Sequence, residues 1–235
     1  MEKSTLLLMK FGIKQHLELL SEGYIYFNPV SKYRTDSTNY RGDEYEGIIP
    51  IDPKSIKIFD ENGRNIFETV PLPDSVKLSR VDDDGILMFC TAMITKKILK
   101  HEDDYYVFNE EFKDAIKEFG DHVLLFHSKE LLSRLNQAQL TASPKFGYES
   151  GPIIYRDIDD FSKTNVYNLT GSFYDSFFVK SERYKMQNEW RLIIDGSDDY
   201  LPTNEDGAYI IKIEKLEWFN ICDASTFLDT FKISI

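Results

Sequence analysis

Short apolar runs separated by turn residues are the feature that most constrains how this chain folds. The clearest runs are LLLMKFG, ILMFCTAMI, HVLLFHS and RLII. Runs of this length with turn signals on both sides are typical of buried β-strands. A membrane-spanning helix needs about eighteen or more apolar residues, and no run in the sequence approaches that length. The pattern predicts a packed sheet and no membrane partner.

The first thirty residues predict a strand, a short helix and a second strand. The segment STLLLMKFG indicates a buried first strand. In IKQHLELLSEG the apolar residues Ile13, Leu17 and Leu20 have helical spacing, and Gly23 is a typical helix C-terminal residue. The following YIYFNP alternates until Pro29 interrupts it, which predicts a short second strand.

The rest of the chain mixes strands and helices without a regular strand-helix-strand repeat. A hairpin is expected around the turn Glu61-Asn62-Gly63. Helices are expected in EEFKDAIKEFGD, ending at Gly120, and in KELLSRLNQAQL, and strands in GPIIYRDI, in AYIIKI and from Gln187 to Asp195. We therefore predict one compact mixed α+β domain over residues 1–235, with a largely antiparallel sheet.

The charge balance excludes one class of partner. The chain has 40 acidic and 28 basic residues, giving a formal net charge of −12. An acidic surface repels phosphate backbones, so broad non-specific binding of nucleic acid is not expected. Cys90 and Cys222 lie far apart in apolar segments, which predicts buried, reduced thiols. The apolar stretch near the N-terminus is too short for a signal-peptide core, so a cytoplasmic location is expected.

Several common catalytic patterns are missing from the sequence. It contains no GxxxxGK[ST] or GxGxxG phosphate loop and no GxSxG nucleophile motif. The four histidines are scattered, without the spacing of a zinc site. Acidic runs such as DDD, EDDYY and SDDY are most simply solvated turns. A metal-dependent nuclease built on these acidic loops is therefore the weakest of the functional hypotheses.

The segment QNEWRLII carries the strongest functional signal. If the strand begins at Gln187, then Gln187, Glu189 and Arg191 point to one face, while Trp190 and the aliphatic residues point to the core. One interpretation is an exposed ion pair between Glu189 and Arg191, which contributes less than about 1 kcal/mol. The other is a catalytic glutamate beside a glutamine that reads the substrate.

Two further segments have both a structural and a functional interpretation. In YRGDEYEG, Arg41 could hold a phosphate, or it could form an ion pair inside the turn with Asp43, Glu44 or Glu46. Lys180, shortly before the QNEWR segment, could contact an anion, although a solvated surface lysine is the more common case.

QNEWRLII resembles the Q-x-E signature of ADP-ribosyltransferases. The longer pattern MKFGIKQHLELLSEGYIYFNPVSKYR, YRGDEYEG and FVKSERYKMQNEWRLII also resembles a widespread bacterial and phage family. Members of that family open with a strand-helix-strand unit and end on a lysine followed by a [Q/E]-x-E-[W/Y]-R strand. The resemblance implies an ADP-ribosyltransferase-like fold, with NAD as co-substrate.

The resemblance also implies roles for individual residues. Glu189 would stabilise the positive charge that develops as nicotinamide leaves, and Gln187 would orient the acceptor. Tyr24 or Tyr26 would stack on the nicotinamide ring. The remaining cofactor contacts implied are Lys10, Arg34, Arg41, Lys180 and Arg191. Lys10 replaces the arginine or histidine that the transferases carry on their first strand, and only Ser172 and Ser176 loosely match their Ser-Thr-Ser motif.

Two functional hypotheses follow from these residues. The first is a toxin or phage-conflict factor that uses NAD to modify a nucleic acid or protein acceptor. The second is a non-catalytic phage or prophage protein that binds and inhibits a host defence complex. The departures from the transferase pattern, the acidic charge and the many aromatic residues favour this second hypothesis.

Overall fold

The apolar runs form the strands of an antiparallel sheet around which the chain is built. The structure is a computed structural model that describes residues 6–36, 42–51, 57, 59–66, 76–78, 85–143, 145–157, 173–195, 204–205 and 207–234. Within these residues, eight strands form one sheet in the order β13-β2-β5-β1-β8-β14, with β12 between β5 and β9. These strands are β1 (Leu7–Gly12), β2 (Tyr24–Pro29), β5 (Ile86–Met93), β8 (His122–His127), β9 (Tyr148–Pro152), β12 (Glu189–Asp195), β13 (Tyr209–Lys212) and β14 (Phe219–Asp223).

Three strand pairs lie outside this sheet in the described part of the chain. They are β3 (Ile49–Ile51) with β4 (Val76–Leu78), β6 (Leu99–Glu102) with β7 (Tyr105–Phe108), and β10 (Ile154–Arg156) with β11 (Val179–Ser181). Only the β10–β11 pair is parallel among the pairs described. The prediction of a single α+β domain with a largely antiparallel sheet is confirmed.

The five α-helices of the described residues are short apart from one. They are α1 (Lys14–Ser21), α2 (Val30–Thr35), α3 (Glu110–Ile116), α4 (Ser128–Thr141) and α5 (Ala224–Thr230). None of the helices in the described ranges is long and apolar enough to cross a membrane. Helix α2 was not predicted, because a six-residue helix directly after Pro29 is too short to show helical periodicity.

Strand β5 is the centre of the sheet, and its two edges are used differently. Along one edge it pairs with β12 over seven residues, from Glu189↔Ala92 to Asp195↔Ile86. The other edge is shared, because β1 pairs near Met93 and β2 pairs near Met88. Between these two pairings, the Lys10 ammonium donates a hydrogen bond to the Cys90 carbonyl at 2.7 Å. A side chain therefore supplies a donor where the strand ladder is interrupted.

The two faces of the sheet pack against different helices. Helices α1 and α4 cover the first core, which contains Leu8, Phe89 and Trp190. Helices α3 and α5 cover part of the opposite face, where Met9 and Phe112 pack. A smaller apolar group on that second face includes Val30, Met88, Phe177 and Ile193. The charged residues described below lie beside this smaller group.

The predicted turn at Gly63 is confirmed, whereas the helix expected to end at Gly120 ends at Ile116. Gly63 has φ of +74°, and the Asp60 carboxylate accepts hydrogen bonds from the backbone N–H groups of Asn62 and Arg64, both at 2.9 Å. Phe59 and Asn65 pair directly across this turn in an antiparallel bridge, as expected of a hairpin. After α3, Gly120 has φ of +146°, and a Cβ there would lie 2.4 Å from the Gly12 backbone. Only glycine fits this approach.

Candidate functional site

Strand β12 begins two residues later than predicted. Glu182–Gln187 forms a 3₁₀ helix, and Asn188 then adopts the left-handed conformation with φ of 45°. The Asn188 amide group donates to the Met93 carbonyl at 2.7 Å and to Thr95 Oγ1 at 2.8 Å. Asparagine tolerates this conformation better than most residues, and its side chain fixes the turn through these bonds. The strand then starts at Glu189.

The alternation along β12 is otherwise as predicted, but its polar face is buried. Trp190 and Leu192 pack in the first core. Glu189 and Arg191 point to the opposite face, where they are only 6% and 1% exposed. The interpretation of these two residues as an exposed ion pair is therefore wrong. Both faces of β12 are buried. The first core covers the face that carries Trp190, and the 42–47 loop and the 173–178 segment cover the face that carries Glu189.

Arg191 connects two carboxylates from distant parts of the sequence. Its Nε donates to Glu189 Oε1 at 2.6 Å. Its Nη1 and Nη2 donate to the two oxygens of Glu46 at 2.5 and 2.8 Å, in the paired geometry that a guanidinium favours. Nη1 also donates to the Phe177 carbonyl at 2.6 Å. Every nitrogen of the guanidinium thus has an acceptor.

Lys180 lies in the same buried region and connects the two residues of the Q-x-E signature. Its ammonium donates to Gln187 Oε1 at 2.9 Å and to Glu189 Oε2 at 3.1 Å. It also lies 4.7 Å from the centre of the Tyr184 ring. Lys180 is 4% exposed, so its interpretation as a solvated surface lysine is wrong. Gln187 joins the site although it lies outside β12.

We call Glu46, Lys180, Gln187, Glu189 and Arg191 the charged cluster. Two positive and two negative side chains balance within it. Burial on its own raises the pKa of Glu189, but Arg191 and Lys180 outweigh burial and hold that pKa below its usual value. Burial on its own lowers the pKa of Lys180, whereas Glu189 and Glu46 bring about a net increase. Glu189 is consequently an anion across the ordinary pH range.

Cys90 and two tyrosines surround the charged cluster with neutral groups. Burial, followed by the charge of Glu189, raises the pKa of the Cys90 thiol to about 12. Burial also raises the pKa of Tyr33 and of Tyr155. The Tyr155 hydroxyl oxygen accepts a hydrogen bond from the Glu189 backbone N–H at 2.8 Å. Cys90 and Cys222 are free thiols as predicted, but each is only partly buried.

The loop at residues 42–47 is attached to the site at several points. The Tyr184 hydroxyl donates to the Gly42 carbonyl at 2.5 Å, and Arg34 Nε donates to the Glu46 carbonyl at 2.7 Å. Asp43 lies 3.8 Å from Arg183, and Glu46 binds Arg191. Asp43 and Glu46 therefore make these ion pairs with residues outside the loop. The predicted internal partner, Arg41, lies outside the described residues.

The structure does not bring all the predicted cofactor contacts together. Lys10 lies 4.8 Å from the centre of the Phe89 ring, which belongs to the first core, so its side chain is on the opposite face of the sheet from Glu189. Lys10 therefore does not lie beside Glu189. The physical reason is strand alternation, since Lys10 has the same orientation as Leu8, two residues earlier in β1.

Tyr24 and Tyr26 lie at the surface of β2, with 43% and 38% of their area exposed. The Lys212 ammonium lies 3.7 Å from the Tyr24 ring centre, and Asn204 Nδ2 donates to the Tyr26 hydroxyl at 3.1 Å. These contacts involve neither Glu189 nor Lys180. Arg34, by contrast, reaches the charged cluster through its bond to the Glu46 backbone.

Sequence reasoning did not select Glu46 or Tyr155 as site residues. Glu46 was noted only as a loop acid, because nothing local in YRGDEYEG indicates a partner 145 residues away. Tyr155 lies in an ordinary strand segment, 34 residues from Glu189. One signal could have indicated Glu46, since a buried Arg191 needs acceptors for all its N–H groups and Glu189 alone does not supply them. That signal is usable only when Arg191 is known to be buried.

A separate cavity of about 340 Å³ lies between α3 and α5. Phe11, Ile116 and Leu228 line it together with charged residues such as Lys113 and Asp223. None of its lining residues belongs to the charged cluster. Within the described ranges, no group of three or more His, Cys, Asp or Glu side chains is arranged to hold a metal ion.

Comparison with known proteins gives no relative from which a function could be transferred. No protein family, curated protein or solved structure matches this chain.

Proposed function

We propose that this chain is an ADP-ribosyltransferase-like protein that uses NAD, with Glu189 as its central catalytic residue. The observation that carries the proposal is the state of the Q-x-E pair. Glu189 is ionised at the first position of a central strand, and the Lys180 ammonium holds Gln187 next to it. The resemblance of QNEWRLII to the transferase signature supplies the reaction class.

The chemistry requires a fixed negative charge. Cleavage of the bond between nicotinamide and ribose develops positive charge on the sugar, and a preorganised carboxylate stabilises that charge. A carboxylate offers about four lone-pair positions on its two oxygens. Arg191 and Lys180 contact different oxygens of Glu189, which leaves acceptor capacity for a ribose hydroxyl. Arg34 and Arg41 are the proposed pyrophosphate contacts, and Tyr24 or Tyr26 the proposed stacking residues.

The proposed acceptor is a nucleic acid or a protein, and the proposed cellular role is that of a toxin or phage-conflict factor. The acidic charge of the chain favours an acceptor with a basic surface over one bound only through its phosphates. In this proposal Gln187 orients the acceptor nucleophile.

The test is release of nicotinamide from NAD by purified wild-type protein, compared with Glu189→Gln and Glu189→Asp. We expect both substitutions to abolish turnover. Glu189→Gln removes the negative charge, and Glu189→Asp moves the carboxylate away from the ribose. Glu182→Gln is the matched control, since Glu182 lies in the same segment and pairs at the surface with Lys185. NAD at a hundredfold excess over its dissociation constant would also stabilise the native protein by about 2.7 kcal/mol. Wild-type turnover in folded Glu189→Gln would refute the catalytic assignment.

A non-catalytic inhibitor of a host defence complex is the second candidate. It is favoured by an exposed apolar group on β2 and β13, where Tyr24, Tyr26 and Ile210 are 43%, 38% and 47% exposed. Tyrosine is favoured at the centre of protein interfaces. Capture of a host protein by wild type and by Glu189→Gln, but not by the double variant Tyr24→Ala/Tyr26→Ala, would support this candidate. Loss of capture in Glu189→Gln alone would count against it.

A further inference from the structure

We infer that Glu46 is a positioning residue for Glu189 and acts through Arg191. The inference rests on the proposed function, because it concerns the geometry of the proposed catalytic carboxylate. Glu46 was not among the residues selected from the sequence, and it lies 145 positions before Arg191. Two consecutive contacts connect it to Glu189, through Arg191, and Lys180 then connects Glu189 to Gln187.

The Arg191 guanidinium is shared between two carboxylates. Glu46 takes both terminal nitrogens, Nη1 and Nη2, in a paired contact. Of the N–H groups that do not bind Glu46, the one on Nε contacts Glu189, at the single oxygen Oε1. The second oxygen of Glu189 is therefore left to Lys180. Glu46 determines which edge of Arg191 faces Glu189, and hence how the Glu189 carboxylate is turned.

Loss of the Glu46 charge would change how Arg191 contacts Glu189. A guanidinium prefers two parallel hydrogen bonds to one carboxylate over a single bond. Without its Glu46 partner, Arg191 would take both oxygens of Glu189. That change would rotate the carboxylate and draw Oε2 away from Lys180. A displacement of about 1 Å at a catalytic group can lower a rate roughly a hundredfold.

Glu46 is itself held in place by its surroundings. Its side chain is 1% exposed, and its backbone carbonyl accepts a bond from Arg34 Nε. The same loop is attached to Tyr184, which follows Lys180 in the chain and lies against its ammonium. Glu46 is thus held by the region that it positions. A freely moving loop acid could not fix a carboxylate orientation in this way.

The experiment measures kcat and KM for NAD cleavage by full-length wild type and Glu46→Gln. We expect Glu46→Gln to lower kcat roughly a hundredfold with an unchanged KM, since the ground-state contacts to NAD remain. Asp43→Asn is the matched control, because Asp43 is equally buried in the same loop and pairs with Arg183 instead. It should retain wild-type kcat. Wild-type kcat in Glu46→Gln would overturn the inference.

Assay temperature separates positioning from simple stabilisation. Glu46→Gln leaves the buried Arg191 without the charge of this partner, so the variant should also melt at a lower temperature. If Glu46 is a positioning residue, kcat of Glu46→Gln stays low at temperatures far below its melting temperature, where the variant is folded. If kcat returns to the wild-type value at those temperatures, Glu46 has only a structural role and the inference is overturned.

A direct structural measurement keeps the inference distinguishable from the proposed function. Absence of NAD turnover in folded wild type would overturn the proposed function. The crystal structure of Glu46→Gln would still decide the geometry. A Glu189 carboxylate bound through both oxygens to Arg191 would support positioning by Glu46, and an unmoved carboxylate would overturn it.

Discussion

Lys180 and Glu189 form a buried ion pair at 3.1 Å, although the strands that carry them do not pair with one another. Strand β11 pairs with β10, whereas β12 pairs with β5 and β9. The contact is therefore made by side chains across two separate sheets. The side chains of Lys180 and Glu189 are 4% and 8% exposed, so the ion pair links these two sheets inside the protein.

Replacement of Lys180 should be strongly destabilising. Lys180→Met leaves Glu189 and Gln187 without the ammonium that they share. Removal of one partner of a buried ion pair usually costs about 3–5 kcal/mol, because the other charge remains buried. We expect a loss of this size in the free energy of unfolding, measured by urea denaturation.

Lys185→Met is the control for Lys180→Met. Lys185 also pairs with a glutamate, Glu182, but both side chains are more than half exposed. Exposed ion pairs contribute about 0–1 kcal/mol, so Lys185→Met should lower stability only slightly. Equal losses in the two variants would show that burial of the Lys180 pair has no energetic consequence.

The ionised state of Glu189 predicts how stability depends on pH. Because its pKa in the folded protein lies below the usual value of 4.5, the unfolded chain takes up the proton first as pH falls. The stabilisation from Glu189 is therefore complete above pH 4.5 and is lost progressively at lower pH. Urea unfolding from pH 7 to pH 3 should show a steeper decline for wild type than for Glu189→Gln. Parallel curves for the two proteins would contradict this assignment.

Cys90 should react slowly with thiol reagents. Its raised pKa of about 12 leaves almost no thiolate at pH 8, and the thiolate is the reactive form. In a Cys222→Ser variant, native Cys90 should react at least about a hundredfold more slowly than in the urea-unfolded chain. Absorbance of the released thiol-reagent product measures both rates. Comparable rates would mean that the Cys90 thiol is neither buried nor influenced by Glu189.

Asn188 allows the backbone and side-chain contributions of the turn before β12 to be separated. Asn188→Gly and Asn188→Ala both lose the bonds to Met93 and Thr95. Only alanine also carries the steric penalty of the left-handed conformation, which is about 1 kcal/mol or more. Asn188→Gly should therefore be the more stable variant by about that amount in urea unfolding. The reverse order would mean that the turn rearranges when the side chain is removed.

Much of the fold could be predicted because its determinants are local in sequence. The apolar run at Ile86–Met93, the helical spacing of Leu17 and Leu20, and the turn at Gly63 each indicate their own structure. The start of β12 was missed for the opposite reason, since Asn188 breaks the strand through bonds to Met93 and Thr95, more than ninety residues away. Local alternation cannot reveal such bonds.

The sequence by itself determined which face of β12 is apolar and which carries Glu189 and Arg191, because side chains alternate along any strand. Only the tertiary structure decided that the polar face is buried, that Lys180 and Glu46 supply its counter-charges, and that Lys10 lies across the sheet from Glu189. Burial and ion pairing depend on how distant segments pack. A glutamate or a lysine is the same letter in the sequence whether its side chain contacts water or another charged group.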